Sequence, residues 1–97
     1  MKKPVEFVQE AEAEYLAALV WYWERSPSAA TRFEAEVVNA INRIQEAPES
    51  WATFMGARRF LLHHFPFAIV YQDSAAAIRI LAVAHCRRKP GYWKTRR

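Results

Sequence analysis

Apolar and polar residues alternate briefly at Val5-Glu6-Phe7-Val8, the period of a short strand, with Pro4 tolerable only at its start or on an edge. From about Gln9 to Arg25 the period lengthens. Ala11, Tyr15, Ala18, Leu19 and Tyr22 recur at three- and four-residue spacing, which predicts an amphipathic helix. Glu10, Glu14 and Glu24 fall off that stripe, and glutamates in the first turn complement the positive end of the helix dipole. Trp21 and Trp23 widen the apolar face. Ser26-Pro27 stops this helix and starts another, with Ser26 as N-cap and Pro27 in the first turn; Ser28 is an equally good cap. The second helix carries Phe33, Val37, Ala40, Ile41 and Ile44 as its stripe, and Pro48 ends it. Two antiparallel helices joined by a tight turn follow.

Pro48 to Gly56 reads as a loop whose Trp51, Phe54 and Met55 serve first to lock it onto the core. Three strands come next, Arg58 to Phe65, Phe67 to Gln72 and Ala77 to His85, parted by Pro66 and by the turn residues Asp73-Ser74. The order is strand, two-helix hairpin, then a three-stranded antiparallel meander. That is an α+β fold on one small twisted sheet, with the hairpin packed on one face. The period of two places Ile78, Ile80, Ala82 and Ala84 of the last strand toward the helices, and Arg79, Leu81, Val83 and His85 on the face they leave open. Arg58 and Arg59 point to opposite faces.

A chain of 97 residues is one domain, 1–97, large enough for a single core without staples. Its charge sharpens the picture. Residues 1–57 hold nine acids and five bases, a balance of −4, whereas 58–97 hold nine bases and one acid, a balance of +8. The second half therefore suits an anionic partner, a nucleic acid or an acidic protein segment. The plainer reading is a solvated tail at Lys94, Arg96 and Arg97, but removing those three still leaves +5 between Arg58 and Trp93. The single cysteine, Cys86, excludes an internal disulfide and fits a reducing compartment. No apolar run reaches the ~18–20 residues of a membrane span, and glutamates interrupt the start where a signal peptide would be apolar. The cytosol is the expected location.

The densest chemistry lies in Ile78 to Trp93, IRILAVAHCRRKPGYW, a strand that ends in a histidine, a basic arm from about residue 86, and two aromatics. His63, His64 and His85 lack the cysteine pair or spaced carboxylates of a metal site. Two glycines in the whole chain leave no phosphate-binding loop. No metal or cofactor is implied. Two classes remain, RNA cleavage by side chains alone and binding without chemistry. Cleavage needs a base, an acid and cations for the developing charge. His85 could serve as base or acid, since an unperturbed imidazole titrates near neutrality, Arg79, Arg87 and Arg88 could hold phosphate through paired donors, and Tyr92 or Trp93 could stack on a base. Against this stand plain alternatives: a structural strand-end histidine, a solvated basic edge, and aromatics that cap the core.

The segments ARRFLLHHFPFAIVYQ and IRILAVAHCRRKPGYW, with SPSAATRFEAEVVNAINRIQEAP before them, strongly resemble the RelE/ParE toxins of bacterial type II toxin–antitoxin systems. The pattern His85, Arg88, Pro90, Tyr92, Trp93 is the most specific part. The resemblance spans nearly the whole chain and implies the fold read above. It also implies a growth inhibitor held inactive by a co-expressed antitoxin that wraps it. One branch of the family cleaves mRNA on the ribosome with basic residues and a terminal tyrosine. Arg79, His85 and Tyr92, with Arg58 or Arg59, could fill such roles here, but the strands carry no lysine, and Glu49 lies in a loop before them. The other branch poisons DNA gyrase and lacks that set. The incomplete set favours gyrase, with ribosome-dependent mRNA cleavage as the alternative and a degenerate toxin, kept only as an antitoxin partner, as a third possibility. Arg58, Arg59, Arg87, Arg88, Lys89 and Trp93 are the expected target or antitoxin contacts. An acidic, amphipathic antitoxin segment would meet them 1:1 within a larger assembly.

Overall fold

The computed structural model describes residues 2–96. Their order is β1 (Val5–Phe7), α1 (Gln9–Arg25), α2 (Pro27–Glu46), β2 (Thr53–Phe54), β3 (Ala57–Leu61), β4 (Phe67–Asp73) and β5 (Ile78–His85). The five strands form one sheet in the order β1-β5-β4-β3-β2. β1 runs parallel to β5, and every other pair is antiparallel. The class is the α+β arrangement that the periodicities predict, with two differences. The strand expected from Arg58 to Phe65 stops at Leu61, and the expected loop contributes the two-residue β2. Met55 and Gly56, at φ of 51° and 85°, make the tight turn between β2 and β3, where two consecutive left-handed residues match the twist of a hairpin.

Ser26 serves both helices. Its backbone N–H donates to Tyr22 at the end of α1, and its hydroxyl accepts from the N–H of Ala29 at 3.3 Å, a cap worth about 1 kcal/mol. The helices lie on one face of the sheet. Phe33 is fully buried and meets the rings of Tyr15, Tyr22, Phe65 and Phe67 at 5.2–5.9 Å between centroids. Val37, Ala40 and Ile44 continue that stripe over Ile69, Ile78 and Ile80. Trp21 and Trp23 do not widen it. They stay 50% and 59% exposed, as do Leu16, Val20 and Val38 to a similar degree. Among the described residues no helix is long and apolar enough to cross a membrane.

The last strand departs from simple alternation. Val70 pairs with Ala82 but Tyr71 pairs with Ile80, so Leu81 is an extra residue opposite no partner, a β-bulge. A bulge reverses the faces beyond it. Ile78 and Ile80 face the helices as expected, but past Leu81 it is Val83 and His85 that do so. Ala82 and Ala84 turn to the opposite face. Arg79 remains on that opposite face, so Arg79 and His85 do not share one.

Candidate functional site at the end of the last strand

His85 pairs across the sheet with Phe67, and its ring stands edge-on to that phenyl at 5.1 Å. Phe67 in turn packs on Phe33, which places His85 on the helix side. Its Nδ1 accepts the backbone N–H of Arg87 at 3.1 Å, so the neutral ring carries its proton on Nε2. The chain then turns back on itself: the N–H of Arg88 donates to the His85 carbonyl, that of Tyr92 to Lys89, that of Lys94 to Gly91 and that of Arg96 to Trp93. Gly91, at φ of 83°, permits the reversal.

This folding-back places the two aromatics on different sides of the sheet. Trp93 is 3% exposed and packs against Phe54, with ring centroids 6.2 Å apart. Together they cover the small residues Ala68, Val70 and Ala84 that the helices leave bare. Trp93 is therefore a core residue and not the partner-facing contact expected of it; a sheet face built of alanine and valine needs such a cover to stay dry. Tyr92 goes to the helix side, where its hydroxyl donates to Glu14 Oε2 at 2.7 Å. Burial foremost, and then that bond and the charge of Glu14, push its pKa up to about 12. The guanidinium of Arg88 lies 3.9 Å from the centre of its ring and that of Arg96 4.9 Å.

Glu14 is the hub that the hydropathy pattern leaves outside. Besides Tyr92, its carboxylate accepts two bonds from Arg96, at 2.9 and 3.0 Å, and the backbone N–H of Val83 at 3.0 Å. Arg96 also donates to the Leu81 carbonyl at 3.0 Å. β1 pairs only with residues 78–80 of β5, so the edge beyond them lacks a partner strand. Glu14 and Arg96 supply the missing acceptor and donor. The sequence does contain a signal: Glu14 lies three residues after Ala11 and four before Ala18, both buried, hence on the inner side of α1. Arg96 is accordingly docked and not part of a solvated tail; Arg97 lies outside the described residues.

Between α1 and the end of β5 opens a cleft of about 500 Å³. Ala17, Ala18, Trp21, Tyr22, Phe67 and Val83 give it apolar walls, and Glu14, His85, Arg88 and Tyr92 supply its polar groups. Arg87, Arg88, Lys89 and Cys86 are exposed beside it. His85 and Tyr92 thus come together, whereas Arg79 sits six residues back along β5, roughly 20 Å away at about 3.3 Å per residue. There it faces Glu6 of β1 at 3.8 Å. Arg58 and Arg59 do point to opposite faces. Arg58 donates to the Trp51 carbonyl at 2.8 Å, and Arg59 stacks on Phe54 at 4.1 Å. His63 and His64 stand apart from the cleft, held in a loop by Glu36, which accepts both of their backbone N–H groups.

With this geometry in hand the comparisons are specific. A family model described as ParE toxin of type II toxin-antitoxin system, parDE, matches residues 5–90. Among solved structures the chain is similar to one from the chromosomal ParDE TA system of P. aeruginosa. The two are 19% identical, with 87% of this chain and 96% of that one covered, at a TM-score of 0.74; the likeness speaks for the fold. No curated protein sequence matches the chain.

Proposed function

This chain belongs to the ParE toxin family of type II toxin–antitoxin systems, and from that premise we propose that it stops growth by binding DNA gyrase through its basic C-terminal end, without cleaving RNA. As a member of the family it is the toxin of such a system, and its partner is an antitoxin protein. The target is the proposal. One observation carries it: the side chains that RNA cleavage would need are not assembled. Arg79 is at the far end of β5 beside Glu6, and the Tyr92 hydroxyl is committed to Glu14 with its proton held up to about pH 12. A group so held is a poor base near neutrality. What the end of the strand does offer is a cluster of exposed cations, Arg87, Arg88 and Lys89, on a turn fixed by His85, Glu14 and Trp93. A rigid, charged projection suits recognition of an acidic surface.

The test is a supercoiling assay with purified gyrase. Inhibition by the wild-type chain is expected, with loss of inhibition in Arg87→Glu/Lys89→Glu at unchanged Tm. Absence of inhibition by pure wild-type toxin, or codon-phased cuts on translated mRNA that vanish in His85→Ala, would overturn the reading. The antitoxin should meet the same basic end; unchanged affinity after charge reversal at Arg58, Arg59, Arg87 and Arg88 together would refute that part.

A further inference from the structure

The cleft between α1 and the end of β5 is unevenly supplied with polar groups. Glu14 is the acid that lines it, and each carboxylate oxygen already accepts two hydrogen bonds: Oε1 from Val83 and Arg96, Oε2 from Tyr92 and Arg96. The donors are not used up. Nδ1 of His85 accepts the Arg87 N–H, so Nε2 carries the ring proton, and among the described residues that proton meets no acceptor. The Arg88 guanidinium has no carboxylate partner among them either. A ligand that accepts hydrogen bonds and carries negative charge would answer both.

The walls define the rest of that ligand. The core leaves Trp21 half-exposed, and its indole lines the cleft on the α1 side, with Tyr22, Phe67 and Val83 completing an apolar surface. A volume of about 500 Å³ lies within the ~300–1,000 Å³ of small-ligand sites and admits a flat ring. The Arg88 guanidinium already lies on the Tyr92 ring, 3.9 Å from its centre, so stacking on a ligand falls to Trp21. Beside the cleft the cations continue. Arg87 and Lys89 are exposed and, like Arg88, have no carboxylate partner among the described residues. Three consecutive free cations exceed what one carboxylate needs and match a chain that carries a charge on every unit.

We propose that this cleft seats one unpaired nucleotide of a DNA strand, with the base against Trp21, an acceptor atom of the base on His85 Nε2–H, and the flanking phosphates on Arg88, Arg87 and Lys89. A positive groove with an aromatic platform holds single strands with little regard to sequence, because every base has a stacking face. The saturated Glu14 leaves no free carboxylate oxygen to receive a ribose 2′-hydroxyl, the group by which proteins tell RNA from DNA. The cleft borders the turn proposed to meet gyrase, so the inference rests on that reading: the toxin holds together the enzyme and a strand of the DNA on which the enzyme acts.

The experiment is fluorescence anisotropy with the full chain and a short end-labelled oligodeoxythymidine, set against an abasic strand of the same length and charge. The abasic strand should bind about tenfold more weakly, the order of one lost stacking contact. Trp21→Ala should bind oligothymidine no better than wild type binds the abasic strand, at unchanged Tm because the indole is half-exposed, and Trp21→Phe should restore the difference. Arg88→Gln should lower the slope of log K against log salt by about 0.7, the share of one phosphate contact on a single strand. Equal wild-type affinity for the abasic strand, or unchanged binding by Trp21→Ala, would overturn the proposal, since charge alone would then do the holding. Tighter binding of oligouridine would overturn the assignment to DNA. Inhibition of gyrase by the wild-type chain is measured in parallel. Base-dependent binding without inhibition upholds this site and removes the gyrase reading; inhibition with no preference over the abasic strand does the reverse.

Discussion

Replacing Glu14 tests whether the C-terminal arm is held by the fold or merely lies against it. Glu14→Gln keeps size and shape but removes the charge and turns one acceptor oxygen into a donor. Four hydrogen bonds converge on the carboxylate, from Val83, Tyr92 and twice from Arg96. The amide can retain those of the Val83 N–H and the Tyr92 hydroxyl only one oxygen at a time. It necessarily opposes a donor to at least one Arg96 nitrogen. Hydrogen bonds to charged groups contribute ~1.5–3 kcal/mol each. The side chains of Glu14 and Arg96 are 17% and 14% exposed, so water compensates only part of the loss. We expect a net cost of about 2–3 kcal/mol, which for a domain of this size lowers Tm by roughly 8–24 °C. Calorimetry gives the Tm, and exchange of the Val83 amide gives the local effect, since that N–H has no strand partner to protect it once the carboxylate is gone. A double-mutant cycle with Arg96→Gln should return a coupling of ~1–3 kcal/mol. A Tm within about 3 °C of wild type, less than 1 kcal/mol by the same scaling, would refute the view that this carboxylate seals the strand edge.

Phe33→Ala should lower stability by about 3–5 kcal/mol in urea denaturation, because the ring is fully buried among four aromatic neighbours. Tyr71 and Tyr92 both have pKa values raised to about 12 from 10.0, each chiefly by burial. The folded state therefore holds protons that the unfolded state releases. That stability is full below pH 10 and is lost as pH rises toward 12, and Tyr92→Phe should flatten the alkaline limb of a stability–pH curve. Burial alone would raise the pKa of Glu36, but the hydrogen bonds it accepts from His64 and His63 bring it below 4.5. Its contribution should be present above that value and lost as pH falls further, and Glu36→Gln should flatten the acid limb. Gly91→Ala should cost about 1–2 kcal/mol by thermal melt, since φ is 83° and an L side chain resists that conformation.

Most of the architecture is legible in the sequence because each signal is local. Ser26-Pro27 marks the hairpin turn by capping chemistry alone, and the stripe from Phe33 to Ile44 fixes which side of α2 is buried. The faces of β5 are another matter. Residues 78–84 are apolar apart from Arg79, so either register past Leu81 buries apolar side chains, and nothing local reveals the bulge. That one extra residue carries His85 from the bare face to the helix side, where it meets Tyr92 and Arg88 and parts from Arg79. The same logic separates Trp93 from its basic neighbours. A sheet face of Ala68, Val70 and Ala84 exists only once β4 and β5 are paired, so the need for a covering indole cannot be seen along the chain. The reversal of faces bears directly on function: it turns His85 away from the face that holds Arg79, and the roughly 20 Å between them along β5 keeps the two from acting on one phosphate in any case. With it, the end of β5 becomes a charged turn braced by Glu14, better fitted to hold a partner than to break a bond.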